Sequence, residues 1–285
     1  MESGITVSLN RGTDTLFFSE SSPFRIVAGG LRGFDYPETD VELACGADGK
    51  RFYVKSTVLC ARRMSIRFEV AESTQSRYVR DLVSRMTLPG RAVTLSTCFL
   101  GRKRTATVIP ADAPEYIFDS FGTPMQIVLH FIAEKPYFTE GKTLRVTAPV
   151  ARAAMTFPVS FPKGGGVLVS FTDDINSAVI RNPGDTDCPV KAYIYAEGTV
   201  SQPYIMLGEK KIRLTGNLTS GDVLKIESGD DMHKITVNGA VRSDLDRNSR
   251  FFSLEPGDNK VTLGAASGAS SLRSYFEYEP RYFGI

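Results

Sequence analysis

At 285 residues the chain is long enough for two domains that each bury a core of their own. Its 34 basic and 32 acidic residues leave a net charge of +2, which implies no polyanion partner and argues against nucleic-acid binding through bulk charge. Hydrophobic content of 42% beside charged content of 23% is that of a globular protein. The longest apolar stretch, around Ile127 to Ala133, is interrupted by His130 and is too short to span a bilayer. The start, MESGITVSLNRG, has neither a basic n-region nor an apolar h-region, so a soluble protein that folds where it is made is expected. Cys45, Cys60, Cys98 and Cys188 include no Cys-x-x-Cys and suit reduced thiols better than a disulfide framework.

From Ile5 to Phe34 short apolar patches alternate with Gly and Ser, and Gly29-Gly30 and Gly33 mark turns or loops. Val41 and Leu43, then Arg51 to Val58, then Met64, Ile66, Phe68 and Val70 predict antiparallel strands with one buried face. The last set is a clean alternation against Ser65, Arg67 and Glu69. Between Ser73 and Met86 the period changes. Tyr78, Val79, Leu82, Val83 and Met86 fall at helical spacing, Ser73 or Thr74 can cap, and Pro89-Gly90 ends the only convincing helix. Its other face carries Arg77, Arg80, Asp81 and Arg85, so the apolar face is expected to pack on its own sheet. Val93 to Leu100, Thr105 to Ile109, Tyr116 to Phe118 and Met125 to Ile132 complete the first half as strands, with Gly101-Arg102-Lys103-Arg104 a solvated hairpin tip.

The pattern weakens from Gly141 to Ala154, and Pro149, Pro158 and Pro162 precede Gly164-Gly165-Gly166, which places a boundary near residue 145. Thereafter strands alone are predicted: Val167 to Phe171, Ala178 to Ile180, Val190 to Ala196, Ile205 to Leu207, Lys211 to Leu214 and Val223 to Ile226. From Lys234 to Leu263 pattern and turn chemistry agree best. Ile235 and Val237 alternate up to a tight turn at Asn238-Gly239; Phe252 and Leu254 alternate with Ser253 and Glu255; Pro256-Gly257 turns the chain; Val261 and Leu263 resume. Short strands with turn signals every 8 to 12 residues or so predict a two-sheet sandwich. The division expected is 1–144 and 145–285, mostly β, two sandwich-type domains, the first with a single α-helix.

No motif assembles a catalytic, cofactor or metal site. Asp244-x-Asp246-x-Asn248 with Glu255 has the oxygen-ligand spacing of a calcium loop, but Ser249 stands where the sharp turn wants Gly and strands flank it. Gly164-Gly165-Gly166 lacks the strand, the helix and the Gly-Lys-Ser/Thr of a phosphate cradle. Arg102-Lys103-Arg104 has no interleaved aromatic residues for nucleic acid. Only His130 and His233 exist, the first inside an apolar strand and the second after Asp230-Asp231 at a turn, so no Cys/His cluster or Ser/His/Asp arrangement forms. Nothing singles out a carboxylate pair. No enzyme is expected, and no cofactor.

Asn238-Gly239 taken with Ser249, Phe251, Phe252, Leu254, Pro256, Gly257 and Asn259 resembles the C-terminal half of the distal tail proteins of siphophages, the hub family called Dit. The resemblance extends to Gly184 through Val190, to Pro203-Tyr204-Ile205 and to Tyr278-Glu279-Pro280-Arg281-Tyr282. In the first half it rests on element order and on Glu134-Lys135-Pro136-Tyr137-Phe138. It implies a galectin-like C-terminal sandwich and an N-terminal domain that forms a ring, commonly of six subunits. It implies a virion protein of the phage tail tip, made in the host cytoplasm, that joins the tail tube protein to the tail-tip hub and docks receptor-binding or peripheral baseplate proteins. Closed rings use heterologous contacts, for which edge strands are natural donors. A carbohydrate-binding sandwich is the alternative, weakened by the absence of Trp, and a hydrolase is disfavoured by the poverty of His.

Overall fold

The computed structural model describes residues 4–71, 76–117, 124–148, 177–229 and 232–285. Ser73, Thr74, Phe118, Pro149, Pro158, Pro162, the Gly164-Gly165-Gly166 run, the strand expected at 167–171 and Asp230-Asp231 lie outside them. The chain divides into two compact units, one formed by Met1–Gly141 with Arg281–Ile285 and the other by Lys142–Pro280. The last five residues thus lie with the first unit, although the sequence reading runs the second domain to 285.

The first unit contains β1 (Thr6–Arg11), β2 (Asp14–Phe18), β3 (Phe24–Arg32), β4 (Thr39–Cys45), β5 (Phe52–Leu59), β6 (Arg62–Val70), α1 (Ser76–Met86), β7 (Val93–Phe99), β8 (Arg102–Pro110), β9 (Glu115–Ile117), β10 (Gln126–Ala133) and β11 (Phe138–Thr139). The strand order β8-β7-β1-β2-β3-β6-β10 closes on itself because β10 also pairs with β8, at Phe131↔Pro110 and Ile132↔Ile109. A closed barrel removes edges, so the wall leaves few free edges for a ring contact. Alternation dictates the wall: along β6 Met64, Ile66, Phe68 and Val70 are buried, and Phe18, Phe24 and Phe68 meet edge to face with centroids 4.9–6.3 Å apart. Val79, Leu82, Val83 and Met86 of α1 join the same core, as their spacing predicts. Tyr78, assigned to that face, instead lies exposed beside the arginines.

Two short stretches differ from the pattern expected of the sequence. The patches before Phe34 form three full strands, and Gly29-Gly30 sits inside β3 where the register with β6 shifts between Ile26 and Leu31. The β7–β8 turn is Leu100-Gly101, both at positive φ, and Arg104 is buried rather than solvated. Its guanidinium pairs with Glu140 at 2.6 Å.

The second unit contains β12 (Leu144–Thr147), β13 (Ser177–Asn182), β14 (Val190–Ala196), β15 (Val200–Ser201), β16 (Tyr204–Leu207), β17 (Lys210–Arg213), β18 (Asn217–Leu218), β19 (Val223–Gly229), β20 (Met232–Val237), β21 (Ala240–Val241), β22 (Gly257–Gly264) and β23 (Leu272–Tyr278). Two antiparallel sheets, β12-β23-β14-β19-β20-β21 and β13-β22-β16-β17, share one apolar core that includes Ile180, Ile194, Ile205, Leu224, Leu263 and Phe276. A final strand, β24 (Arg281–Tyr282), pairs with β11 in the first unit. Asn238 and Gly239 both have positive φ between β20 and β21, the tight turn expected. Phe252 and Leu254 are buried as expected, but in an irregular segment rather than a strand, and Ser253 is buried with them. Sequence alternation there reflects two polar pins. Ser228 Oγ accepts from Phe252 N–H at 2.7 Å and donates to the Phe252 carbonyl at 2.5 Å, while Leu254 bridges to Cys188 through paired backbone hydrogen bonds.

Candidate interaction surface

The hairpin β4–β5 forms its own two-stranded sheet and pairs with no other strand among the described residues. Antiparallel pairing and an apolar face were both legible. The expected burial of that face does not occur. Thr39, Val41, Leu43 and Cys45 alternate onto one face of β4, and their partners on β5 are Leu59, Thr57, Val54 and Phe52. Phe52, Val54 and Leu43 are 67%, 59% and 58% exposed, and Val41 and Leu59 are also exposed. Five large apolar side chains on one face of an open ribbon are an interaction signal, because a folded chain gains by covering such a patch.

A bulge makes this face apolar. The register shifts between Glu42 and Leu43, so Glu42 opposes Ser56 while Leu43 opposes Val54, and Lys55 is the extra residue. Were Lys55 paired in regular register opposite Leu43, Val54 and Phe52 would turn to the face of Glu42. The same bulge brings two partners to one carboxylate: Glu42 accepts from Lys55 Nζ at 2.6 Å and from Ser56 Oγ at 3.1 Å. The Lys55 contact first, then the Ser56 hydroxyl, holds the Glu42 carboxyl below the usual range. The Glu42 face thus combines this paired cluster with exposed Tyr53 and Val58, while the Leu43 face is more apolar and is uncovered among the described residues.

The residues weighed for chemistry are placed apart or tied up. Asp244 is gripped by Arg242 through two hydrogen bonds of 2.6 and 2.7 Å, and Asp246 accepts from the Asn248 backbone at 2.9 Å. Among the described residues no three His, Cys, Asp or Glu side chains gather as metal ligands. His130 Nε2 lies 3.2 Å from Glu115, and His233 packs on Phe251 with centroids 4.7 Å apart in the other unit. The residues that carry the family resemblance serve the fold: Asn259 accepts from Glu255 N–H and donates to the Glu255 and Gly257 carbonyls.

Residues 183–282 match the family model of the siphovirus-type tail component, C-terminal domain. The resemblance drawn from scattered residues of the second half is therefore a match over one continuous span, to the C-terminal domain of a siphovirus-type tail component; Glu134 to Phe138 lie outside it. The fold as a whole is similar to the Dit protein of SPP1, described as a paradigm of the hub adsorption apparatus in phages that infect Gram-positive hosts. That similarity has a TM-score of 0.69 at 12% identity and covers 96% of this chain and 98% of that one. The baseplate of phage P2 in its activated conformation with Ca aligns with a TM-score of 0.45 at 10% identity, over 99% and 100% of the two chains. No curated protein matches the sequence.

Proposed function

We propose that the chain is a structural subunit of a phage tail tip that assembles into a closed ring, six subunits around, and joins the tail tube to the baseplate or receptor-binding apparatus. The observation that carries this reading is the β4–β5 hairpin, whose apolar face has no cover among the described residues. Barrel closure uses up most sheet edges of the first unit, so self-association falls to the hairpin rather than to edge pairing. A hairpin from one copy that packs on the next makes a heterologous contact, and such contacts close into a ring when the rotation permits. The tail tube protein, tail-tip hub and receptor-binding proteins are the partners of this reading, its place is the virion, and its role is mechanical rather than enzymatic.

Light scattering across a concentration series tests the proposal. The full chain is expected to form a closed oligomer at high concentration, alone or with co-expressed tail proteins. Leu43→Glu with Val54→Glu is expected to leave it monomeric with an unchanged melting temperature. A monomer from the parent chain under every condition would overturn the ring.

A further inference from the structure

The hairpin can present its apolar face in one direction only if its root is fixed. That root runs from Gly33 to Thr39 on one side and from Leu59 to Arg62 on the other, closed by a hydrogen bond from Cys60 N–H to the Glu38 carbonyl at 2.9 Å. Residues Arg281–Ile285 lie against it. The Arg62 side chain is 1% exposed and donates to three backbone carbonyls: Pro136 at 3.1 Å from Nε, Gly33 at 3.3 Å from Nη1, and Phe283 from Nη2. One buried guanidinium therefore joins the turn that enters the hairpin to the segment after β24. Burial draws its pKa down to about 10, so it remains a cation at neutral pH, and the carbonyls offset the lost hydration.

Other contacts point the same way. The Phe283 ring packs on Tyr36, three residues before β4, with centroids 5.8 Å apart. A methyl group at Gly284 would touch the backbone of Asp35 at 3.7 Å, so the two segments run in contact. Gly33 has φ of 77°, and a Cβ there would sit 2.0 Å from the Arg63 carbonyl, so the entry turn lies directly on the β6 backbone with no room for a side chain. Upstream, β24 is held by pairing with β11 and by Arg104, whose guanidinium lies 3.5 Å over the Tyr282 ring.

We propose that Arg281–Ile285 is a brace that positions the β4–β5 hairpin, with Phe283 acting on Tyr36 and, through Arg62, on Gly33. Its consequence for assembly rests on the ring reading above; its consequence for the hairpin root does not.

Hydrogen exchange separates the two. The parent chain, a chain ending at Pro280, Phe283→Ala and Phe283→Tyr are compared, with association followed on the same samples by light scattering. Phe283→Ala keeps the backbone carbonyl that Arg62 uses and removes only the ring. Exchange at the Cys60 amide is expected to rise about tenfold in Phe283→Ala and further in the shortened chain, while β6 and β10 stay protected and Phe283→Tyr behaves as the parent. Association should weaken in the same order. Unchanged exchange at Cys60 in both Phe283→Ala and the shortened chain would overturn the brace. So would protection lost across β6 and β10 as much as at Cys60 in both, since the segment would then be part of the barrel at large. A parent chain that never associates removes the ring reading, and exchange at Cys60 still decides the brace.

Discussion

The Tyr193 ring lies face to face on Tyr275, with centroids 4.6 Å apart and 11° between their planes. The two residues are direct cross-strand partners on β14 and β23. Arg145 covers Tyr275 at 3.4 Å and Lys225 sits 5.5 Å from the Tyr193 centroid, so cations flank the stack on both sides. A sugar stacks on an open aromatic face, and these faces are already taken. Tyr275→Ala is expected to destabilise the second unit by about 1–2 kcal/mol, the sum of a stacked pair and a cation–π contact. Thermal unfolding checks this. A glycan array on which the parent chain holds a saccharide that Tyr275→Ala loses would restore the carbohydrate-binding alternative.

One row further along the same face, charges alternate across five strands: Arg145, Glu277, Lys191, Glu227 and Lys234 are successive cross-strand partners. Opposite charges placed directly across a sheet stabilise it. The hydrogen bond from Lys225, reinforced by Lys191 and Lys234, holds the Glu227 carboxyl below its ordinary 4.5. A depressed carboxyl contributes stability that is present above the ordinary value and lost as pH falls through the depressed one. Urea midpoints of the second unit should therefore drop below about pH 4.5, and Glu227→Gln should flatten that acid limb. An identical acid limb in the variant would show that Glu227 is not its source.

The turn at Asn238-Gly239 makes a third test. Gly239 has φ of 82°, and nothing lies within 4 Å of the Cβ it lacks, so any penalty there is backbone strain rather than a clash. Asn238 adds its own anchors, accepting from Val223 N–H at 2.9 Å and donating to Asp222 at 2.7 Å. Gly239→Val is expected to cost about 1–3 kcal/mol, because a β-branched residue resists positive φ. Gly239→Asn should cost much less, since Asn visits that region readily. Melting temperatures of the two variants check the order.

What the sequence shows and conceals follows the periodicity of individual strands. Met64, Ile66, Phe68 and Val70 announce β6 because every inward position is large and apolar. The strand β23 is as regular, but Ser274 occupies an inward, buried position between Leu272 and Phe276 and breaks the pattern. At Phe252 and Leu254 alternation suggests a ladder, yet side-chain hydrogen bonds from Ser228 replace most of it. The interaction surface was half legible. Apolar positions in β4 and β5 are visible in the sequence, but period 2 reports only that a face is apolar, never what covers it. The bulge at Lys55 and the return of β24 to β11 depend on distant pairing and leave no local signal.

The last test concerns Asn182, which is 1% exposed where β13 ends. Its Nδ2 donates to the Thr186 and Leu254 carbonyls, each at 3.0 Å, and its Oδ1 accepts from Gly184 N–H at 2.9 Å, so both amide hydrogens and the amide oxygen are engaged. The Leu254 carbonyl also accepts from Cys188 N–H at 3.0 Å. Asn182→Asp preserves shape but turns both donations into oxygen facing oxygen. The cost at pH 7 is expected to be about 2–4 kcal/mol, that of an unpaired buried polar group enlarged by charge. Burial among carbonyls raises the new carboxyl's pKa, so it is neutral in acid, where one donation is restored. A raised folded pKa gives stability that is present at low pH and lost as pH rises through it. The penalty relative to the parent should therefore shrink from pH 7 to pH 4, opposite in sign to the effect at Glu227. A pH-independent penalty, measured by urea unfolding at both values, would mean that the Asn182 site admits enough water to solvate a carboxylate.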